Sequence, residues 1–118
     1  MAYITVEDFY NDAVSCRRLT RDEEKEYAGM MKNGDDNARR QLIRSYMPMV
    51  MSYVIKASHI NGRLGLAMHC MDTLEKAVDH FDFLQDSESF SHHLSWHLRN
   101  AVAKYRVEQH MEKRQVSE

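Results

Sequence analysis

The sequence predicts a single all-α domain of about five helices. One proline and four glycines among 118 residues, with 29% charged residues, are typical of a largely helical, soluble chain. Apolar residues recur at helical rather than alternating spacing, most clearly from Phe90 to Tyr105. A domain of this size buries roughly 65% of the surface of its unfolded chain, which is enough for a core. We therefore treat residues 1–118 as one domain whose charged tail, 110–118, is expected to fray.

The first three helices are predicted from their ends. Thr5 can cap a helix that runs to about Val14, since acidic residues in a first turn are favoured by the helix dipole. A second helix follows the capping-box pair Thr20 and Glu23, and Gly34 is its expected end. Asp35 or Asp36 then caps a third helix. The inner faces of the first two helices are predicted to hold Phe9, Tyr10, Val14, Tyr27, Met30 and Met31.

The remaining helices are separated by a proline and two polar segments. Pro48 predicts a break between Tyr46 and Pro48, followed by a run to about Ser58 and a turn at Asn61-Gly62. The next helix begins at Leu64 or Leu66. Its predicted core stripe is Ala67, Cys70, Met71, Leu74, Ala77, Val78 and Phe81. After a polar loop, Ser89 or Ser91 caps the last long helix.

The last helix has two dissimilar sides. Its predicted core stripe is Phe90, Leu94, Leu98, Ala101, Val102 and Tyr105. Trp96 falls nearly opposite this stripe, and its outer neighbours on successive turns are His93, His97, Asn100 and Lys104. Side chains of these types can bind the bases and phosphates of a nucleic acid. The alternative is that Trp96 is one of the single exposed aromatics that are common on protein surfaces.

Composition narrows the possible functions. No apolar run reaches membrane-spanning length, and the N-terminus does not resemble a signal peptide. Cys16 and Cys70 lack metal-ligand spacing, so a reduced cytoplasmic compartment is expected. The net charge of −2 argues against a free-standing DNA-binding protein. It is compatible with a subunit that meets DNA only when a larger partner holds it.

Catalytic and metal-binding patterns are weak. His93 and His97 have the i, i+4 spacing of a helical zinc pair, but Leu94 stands where the zincin motif has Glu. Two ligands also fall short of the three or four that zinc requires. Cys70 lies on an apolar stripe, which favours a core role over a nucleophile. We expect no enzyme activity, no cofactor and no metal.

The last helix resembles a known DNA-reading helix. Phe90-Ser91, Trp96 and the run 98–102 (Leu-Arg-Asn-Ala-Val) are similar to Phe-Ser-Thr-Tyr-Ala-Thr-Trp-Trp-Ile-Arg-Gln-Ala-Ile of bacterial sigma factors of the sigma-70 family. Further blocks follow the family order. They are Leu19-Thr20-Arg21-Asp22-Glu23-Glu24, Gly34-Asp35, Ala38-Arg39-Arg40-Gln41-Leu42-Ile43, Tyr46-Met47-Pro48-Met49-Val50 and Ala77-Val78-Asp79-His80-Phe81-Asp82.

The resemblance covers regions 1.2 to 2.4 of the family and implies its partners. It implies docking on the clamp helices of bacterial RNA polymerase core and binding of the single-stranded promoter −10 element. The residues implied to bind DNA are His93, Trp96, His97, Arg99, Asn100 and Lys104. The residues implied to bind polymerase are Leu66, Met68, His69, Asp72 and Glu75.

Departures from the family pattern leave two hypotheses. Gly65, Met68 and His69 replace the Asp, Gln and Glu with which the family binds the clamp, and Gly or Met cannot make those polar contacts. The helix-turn-helix domain that reads the −35 element has no counterpart here, so a partner protein is expected to supply upstream contacts. The first hypothesis is a short, divergent sigma factor. The second is a regulatory or decoy protein that binds polymerase or another regulator without reading DNA.

Overall fold

The structure, a computed structural model, describes residues 3–57, 63–84 and 89–116, and these residues form six α-helices. The helices are α1 (Val6–Val14), α2 (Arg21–Lys32), α3 (Asp36–Ser45), α4 (Met47–Lys56), α5 (Arg63–His80) and α6 (Phe90–Val116). No strand occurs in these three segments, so the all-α prediction is confirmed. The predicted turn at Asn61-Gly62 lies outside the described residues. Helix α6 continues to Val116, and fraying of the tail stays a prediction.

Two helices begin with complete capping boxes. The Thr5 hydroxyl accepts the Asp8 N–H at 3.2 Å, and the Asp8 carboxylate accepts the Thr5 N–H at 3.1 Å. Thr20 and Glu23 repeat the arrangement at the start of α2, at 3.1 and 2.9 Å. A bidentate bond from Arg17, with the Thr20 N–H as the second cause, lowers the pKa of Glu23 to about 2. Each cap satisfies amides that a helix start leaves without partners.

Helices α2 and α3 end near the two places where the sequence predicts a helix end. Gly34 has φ +93°, a conformation that L side chains rarely adopt, and ends α2. Asp35 rather than Asp36 caps α3, because its carboxylate accepts the N–H groups of Asn37 and Ala38. Helix α3 ends at Ser45 and α4 begins at Met47, with Pro48 in its first turn. A proline is tolerated there because first-turn N–H groups lack helical partners.

Helix α5 lies at the centre of the domain and packs against α1, α3, α4 and α6. The largest fully buried side chains are Phe9, Leu42, Met47, Leu66, Leu74, Leu94, Leu98, Val50, Val54, Val78 and Cys70. Burial raises the pKa of the Cys70 thiol to about 12, which fits an inert core residue. No helix in the described segments is long and apolar enough to cross a membrane.

Two predicted core positions are wrong. Val14 is 65% exposed and Met30 is 39% exposed, whereas Ala13 and Ala28 are buried. The buried face of α1 holds Phe9 and Ala13, and that of α2 holds Ala28. Val14 and Met30 lie outside these faces.

The N-terminal helix is joined to the domain by a polar cluster as well as by Phe9. Arg44 on α3 donates two hydrogen bonds to the Asp12 carboxylate, at 2.9 and 3.3 Å. The Tyr3 hydroxyl donates to the same carboxylate at 2.5 Å. These bonds, led by that from Arg44, lower the pKa of Asp12. The cluster thus fixes α1 against α3.

Candidate nucleic-acid interface

Helix α6 presents Trp96 to solvent as the sequence predicts. The Ser89 hydroxyl accepts the His92 N–H at 3.2 Å, so Ser89 rather than Ser91 caps the helix. Phe90, Leu94, Leu98 and Ala101 are buried, whereas Trp96 is 58% exposed. The indole is therefore on the surface and contributes little to the core. It meets the His97 ring edge-to-face, with the centroids 5.0 Å apart.

A groove of about 510 Å³ lies between α5 and α6. Its α5 wall is formed by His69, Asp72, Thr73, Lys76, Ala77 and His80. Its α6 wall is formed by His93, His97, Asn100, Ala101 and Lys104. The structure therefore brings together most of the predicted DNA-binding residues. It also places two of the predicted polymerase-binding residues, His69 and Asp72, opposite them.

Aromatic and imidazole rings form a chain along the α6 wall of this groove. The centroids of His93 and His97 are 4.5 Å apart, and His93 lies 5.0 Å from Phe81. Burial, with a smaller contribution from His93, lowers the pKa of His97. A lowered pKa favours the neutral ring at pH 7. A neutral imidazole can stack on a base and hydrogen-bond to its edge.

Charge is distributed unevenly over α6. The segment from Phe90 to Val107 contains no Asp or Glu, although the whole chain has 18 acidic residues against 16 Lys and Arg. Among the described residues, Asp72 on the α5 wall is the only carboxylate that lines the groove, and it pairs with Lys76 at 3.0 Å. The charged side chains of α6 between Phe90 and Val107 are therefore all basic, although the net charge of the chain is −2.

Arg99 lies apart from the other predicted DNA-binding residues. It lines a separate crevice on the opposite side of Trp96, together with Lys56 of α4 and Arg106 of α6. Sequence reasoning missed Lys56 and Arg106. Arg106 lies seven residues after Arg99, which is two helical turns, and this spacing was the available signal. Lys56 reaches the crevice only through the packing of α4 against α6.

The predicted polymerase-binding residues do not form one surface. Leu66 is fully buried in the core, so its proposed surface role is corrected: its side chain is not available to a partner. Met68 is partly buried and packs against the same core. Glu75 does not line the groove that holds His69 and Asp72, and it acts electrostatically on Arg39 of α3. Of the predicted polymerase-binding residues, Leu66 is therefore part of the core. His69 and Asp72 lie on one face of α5, and Glu75 lies on another.

Gly65 has a packing role that the sequence does not reveal. A Cβ atom at this position would lie 2.5 Å from the Tyr105 hydroxyl oxygen and 3.5 Å from Cζ of the same ring. The Tyr105 hydroxyl accepts a hydrogen bond from Gln109 at 3.2 Å, and the ring lies 5.8 Å from that of His69. A side chain at this position, where the sigma family has Asp, would therefore clash with the hydroxyl of Tyr105 on α6.

The described residues contain no group of three or more His, Cys, Asp or Glu side chains arranged to hold a metal ion. Comparison with protein-family models gave no match, and comparison with curated proteins gave none either. The likeness to sigma factors therefore rests on the sequence blocks described above.

Proposed function

We propose that this chain is a sigma-factor-like transcription initiation protein that binds RNA polymerase core and the single-stranded −10 element of promoters. The observation that carries the proposal is the outer face of α6, where Trp96 is 58% exposed on a segment that has no carboxylate. An exposed indole provides a stacking platform for an unpaired base, and the surrounding positive charge attracts the phosphate backbone.

The groove beside Trp96 supplies groups that can read a base. Asn100 carries an amide, which pairs bidentately with adenine when the base edge is accessible. His93 and His97 offer further stacking surfaces, and Lys104 stands at the groove as a phosphate contact. The overall charge of −2 gives no general attraction to DNA, so polymerase is proposed to hold the chain on the promoter.

The test is the affinity of the chain, bound to purified core polymerase, for a fluorescent single-stranded −10 oligonucleotide. Trp96→Ala should weaken binding by roughly 1–3 kcal/mol, the usual contribution of one base–aromatic stack. Val14→Ala is the matched control, because Val14 is 65% exposed on α1 and its truncation should leave DNA affinity unchanged. Equal affinities for Trp96→Ala and the unmodified chain would remove the main support for DNA reading.

A second candidate function is favoured by one observation on α5. Leu66 is buried, and a side chain at position 65 would clash with Tyr105, so the surface that the sigma family uses for docking differs here. A regulatory or decoy protein would keep the fold and bind polymerase or another regulator without reading DNA. This candidate predicts that the chain does not retain the −10 strand, whether or not it binds core, and that Trp96→Ala affects no binding step.

A further inference from the structure

A basic crevice lies where the end of α4 meets the middle of α6. It has a volume of about 160 Å³ and is lined by Tyr53, Lys56, Ala57, Arg99, Val102 and Arg106. Three of these six residues are cations and none is acidic. Among the described residues, none of the three cations forms an ion pair. The crevice therefore concentrates positive charge that no ion pair within the described segments neutralises.

Contacts between the two helices hold this crevice together. The Tyr53 hydroxyl on α4 and the Ser95 hydroxyl on α6 share a hydrogen bond of 2.5 Å. The Lys56 ammonium lies 5.9 Å from the centroid of the Tyr53 ring, within cation–π range. Lys56 is thereby positioned beside α6, where Arg99 and Arg106 face the same crevice. The two arginines are separated by roughly 10 Å along the helix axis, enough to face more than one phosphate of a strand.

Helix α4 ends at this crevice, and its free carbonyl groups oppose an anion. The C-terminus of a helix carries a charge equivalent to roughly −0.5. Three full positive charges outweigh it, and Lys56 itself lies in the last turn, where a cation offsets the dipole. The crevice as a whole remains attractive to an anion.

The two sides of Trp96 differ in their chemistry. On one side, the α5–α6 groove offers imidazoles, an amide and apolar surface, and of its two lysines Lys76 is paired with Asp72 at 3.0 Å, which leaves Lys104 as a single phosphate contact. On the other side, the basic crevice offers ammonium and guanidinium groups without a carboxylate. Arg99 is three residues from Trp96 and Asn100 is four, so both lie on turns adjacent to the indole. The groove suits a base and the crevice suits a phosphate.

We propose that the phosphodiester backbone of a single DNA strand binds across Lys56, Arg99 and Arg106, with its bases turned over Trp96 towards the α5–α6 groove. This assignment rests on the proposed function and adds a phosphate-binding site to it. It names Lys56 and Arg106 as binding residues, and it fixes the side of Trp96 on which the backbone runs. Guanidinium groups bind phosphate oxygens bidentately, which suits them to hold a strand in register.

The test measures how the binding of a fluorescent oligo-dT strand to the complex of the chain with purified core polymerase depends on salt, with core alone as the reference. The homopolymer removes sequence effects. Each phosphate contact contributes about −0.7 to the slope of log K against log salt for single strands. Lys56→Ala and Arg106→Ala should each flatten the slope by about 0.7 and weaken binding roughly five- to tenfold at 50 mM salt. Arg40→Ala, on the exposed side of α3, is the matched control and should change neither quantity.

The outcomes separate this inference from the proposed function. If Trp96→Ala weakens binding while Lys56→Ala and Arg106→Ala behave like Arg40→Ala, the backbone does not use the crevice and the inference fails alone. If the complex of core polymerase with the unmodified chain binds the strand no more tightly than core alone at 50 mM salt, both fail. Arg106 and Lys56 are both exposed, so both variants should fold. Arg106→Ala should keep the melting temperature of the unmodified chain, and Lys56→Ala should lower it slightly because it removes the contact with Tyr53 and a cation at the end of α4.

Discussion

The close approach of Gly65 to Tyr105 gives a sharp prediction about folding. In Gly65→Ala the new methyl carbon would lie 2.5 Å from the Tyr105 hydroxyl oxygen, about 1 Å inside an ordinary contact. The Tyr105 ring packs on the core, so moving its tip rotates the whole ring against its neighbours. Overpacking of this kind costs roughly 1–3 kcal/mol. Alanine recovers at most about 1 kcal/mol through its helix propensity, so we expect net destabilisation.

A double-mutant cycle isolates the contact. Tyr105→Phe removes the hydroxyl and leaves Cζ at 3.5 Å, an ordinary van der Waals distance. In that background Gly65→Ala should be neutral or stabilising, so the coupling free energy should be about 1–2 kcal/mol. The assay is equilibrium urea denaturation of the four proteins. Gly29→Ala is the control, because nothing lies within 4 Å of its Cβ position, and it should stabilise by about 0.8–1 kcal/mol. If the changes in unfolding free energy of the two substitutions were additive, the coupling free energy would be zero and the argument would be refuted.

Three further predictions concern particular contacts. Thr20→Ala should lower the free energy of unfolding by about 1 kcal/mol in urea denaturation, because it removes the cap of α2. Because the folded state lowers the pKa of Asp12, the stabilisation is present above the unfolded pKa of about 3.9 and is lost as pH falls through the folded pKa. Asp12→Asn should therefore lower the melting temperature at pH 6 and weaken its dependence on pH between 5 and 2. Cys70 should resist alkylation in the folded protein, while partly exposed Cys16 reacts faster; equal rates, measured by mass spectrometry, would contradict the burial of Cys70.

Helix ends were predictable because their determinants are local. A threonine and an acidic residue three positions later define a capping box without reference to the rest of the chain, and Thr20 with Glu23 forms one here. The same holds for Gly34 at a positive φ and for Pro48 in a first turn. The choice between Asp35 and Asp36 depended on backbone geometry that spacing alone does not fix.

The direction of each buried face was less predictable. Helical periodicity indicates that a face exists, but its orientation follows from the helices packed against it. Val14 and Ala13 occupy adjacent positions of α1, and the smaller one faces the domain. On α5, Leu66 lies outside the predicted core stripe, but it is fully buried because α5 packs against four other helices.

The arrangement of the candidate site residues along α6 could be predicted from the sequence. Their proximity to residues of other helices could not. Exposure of Trp96 follows from its position opposite the apolar stripe. The groove that joins His69 to Lys104, and the crevice that joins Lys56 to Arg106, arise only when α6 packs against α5 and α4. From the sequence alone, Gly65 is interpreted as the replacement of a family carboxylate. In the structure, the absence of a side chain at this position leaves room for Tyr105.

The most direct test of the proposed function is a binding titration of the purified chain against purified bacterial RNA polymerase core, followed by addition of a labelled single-stranded −10 oligonucleotide. We predict that the chain binds core and that the complex retains the strand more tightly than core alone. Charge reversal at Asp72 should weaken core binding by no more than a partly exposed rim contact does. Failure of the chain to bind core would contradict the sigma-like function, whatever its affinity for DNA.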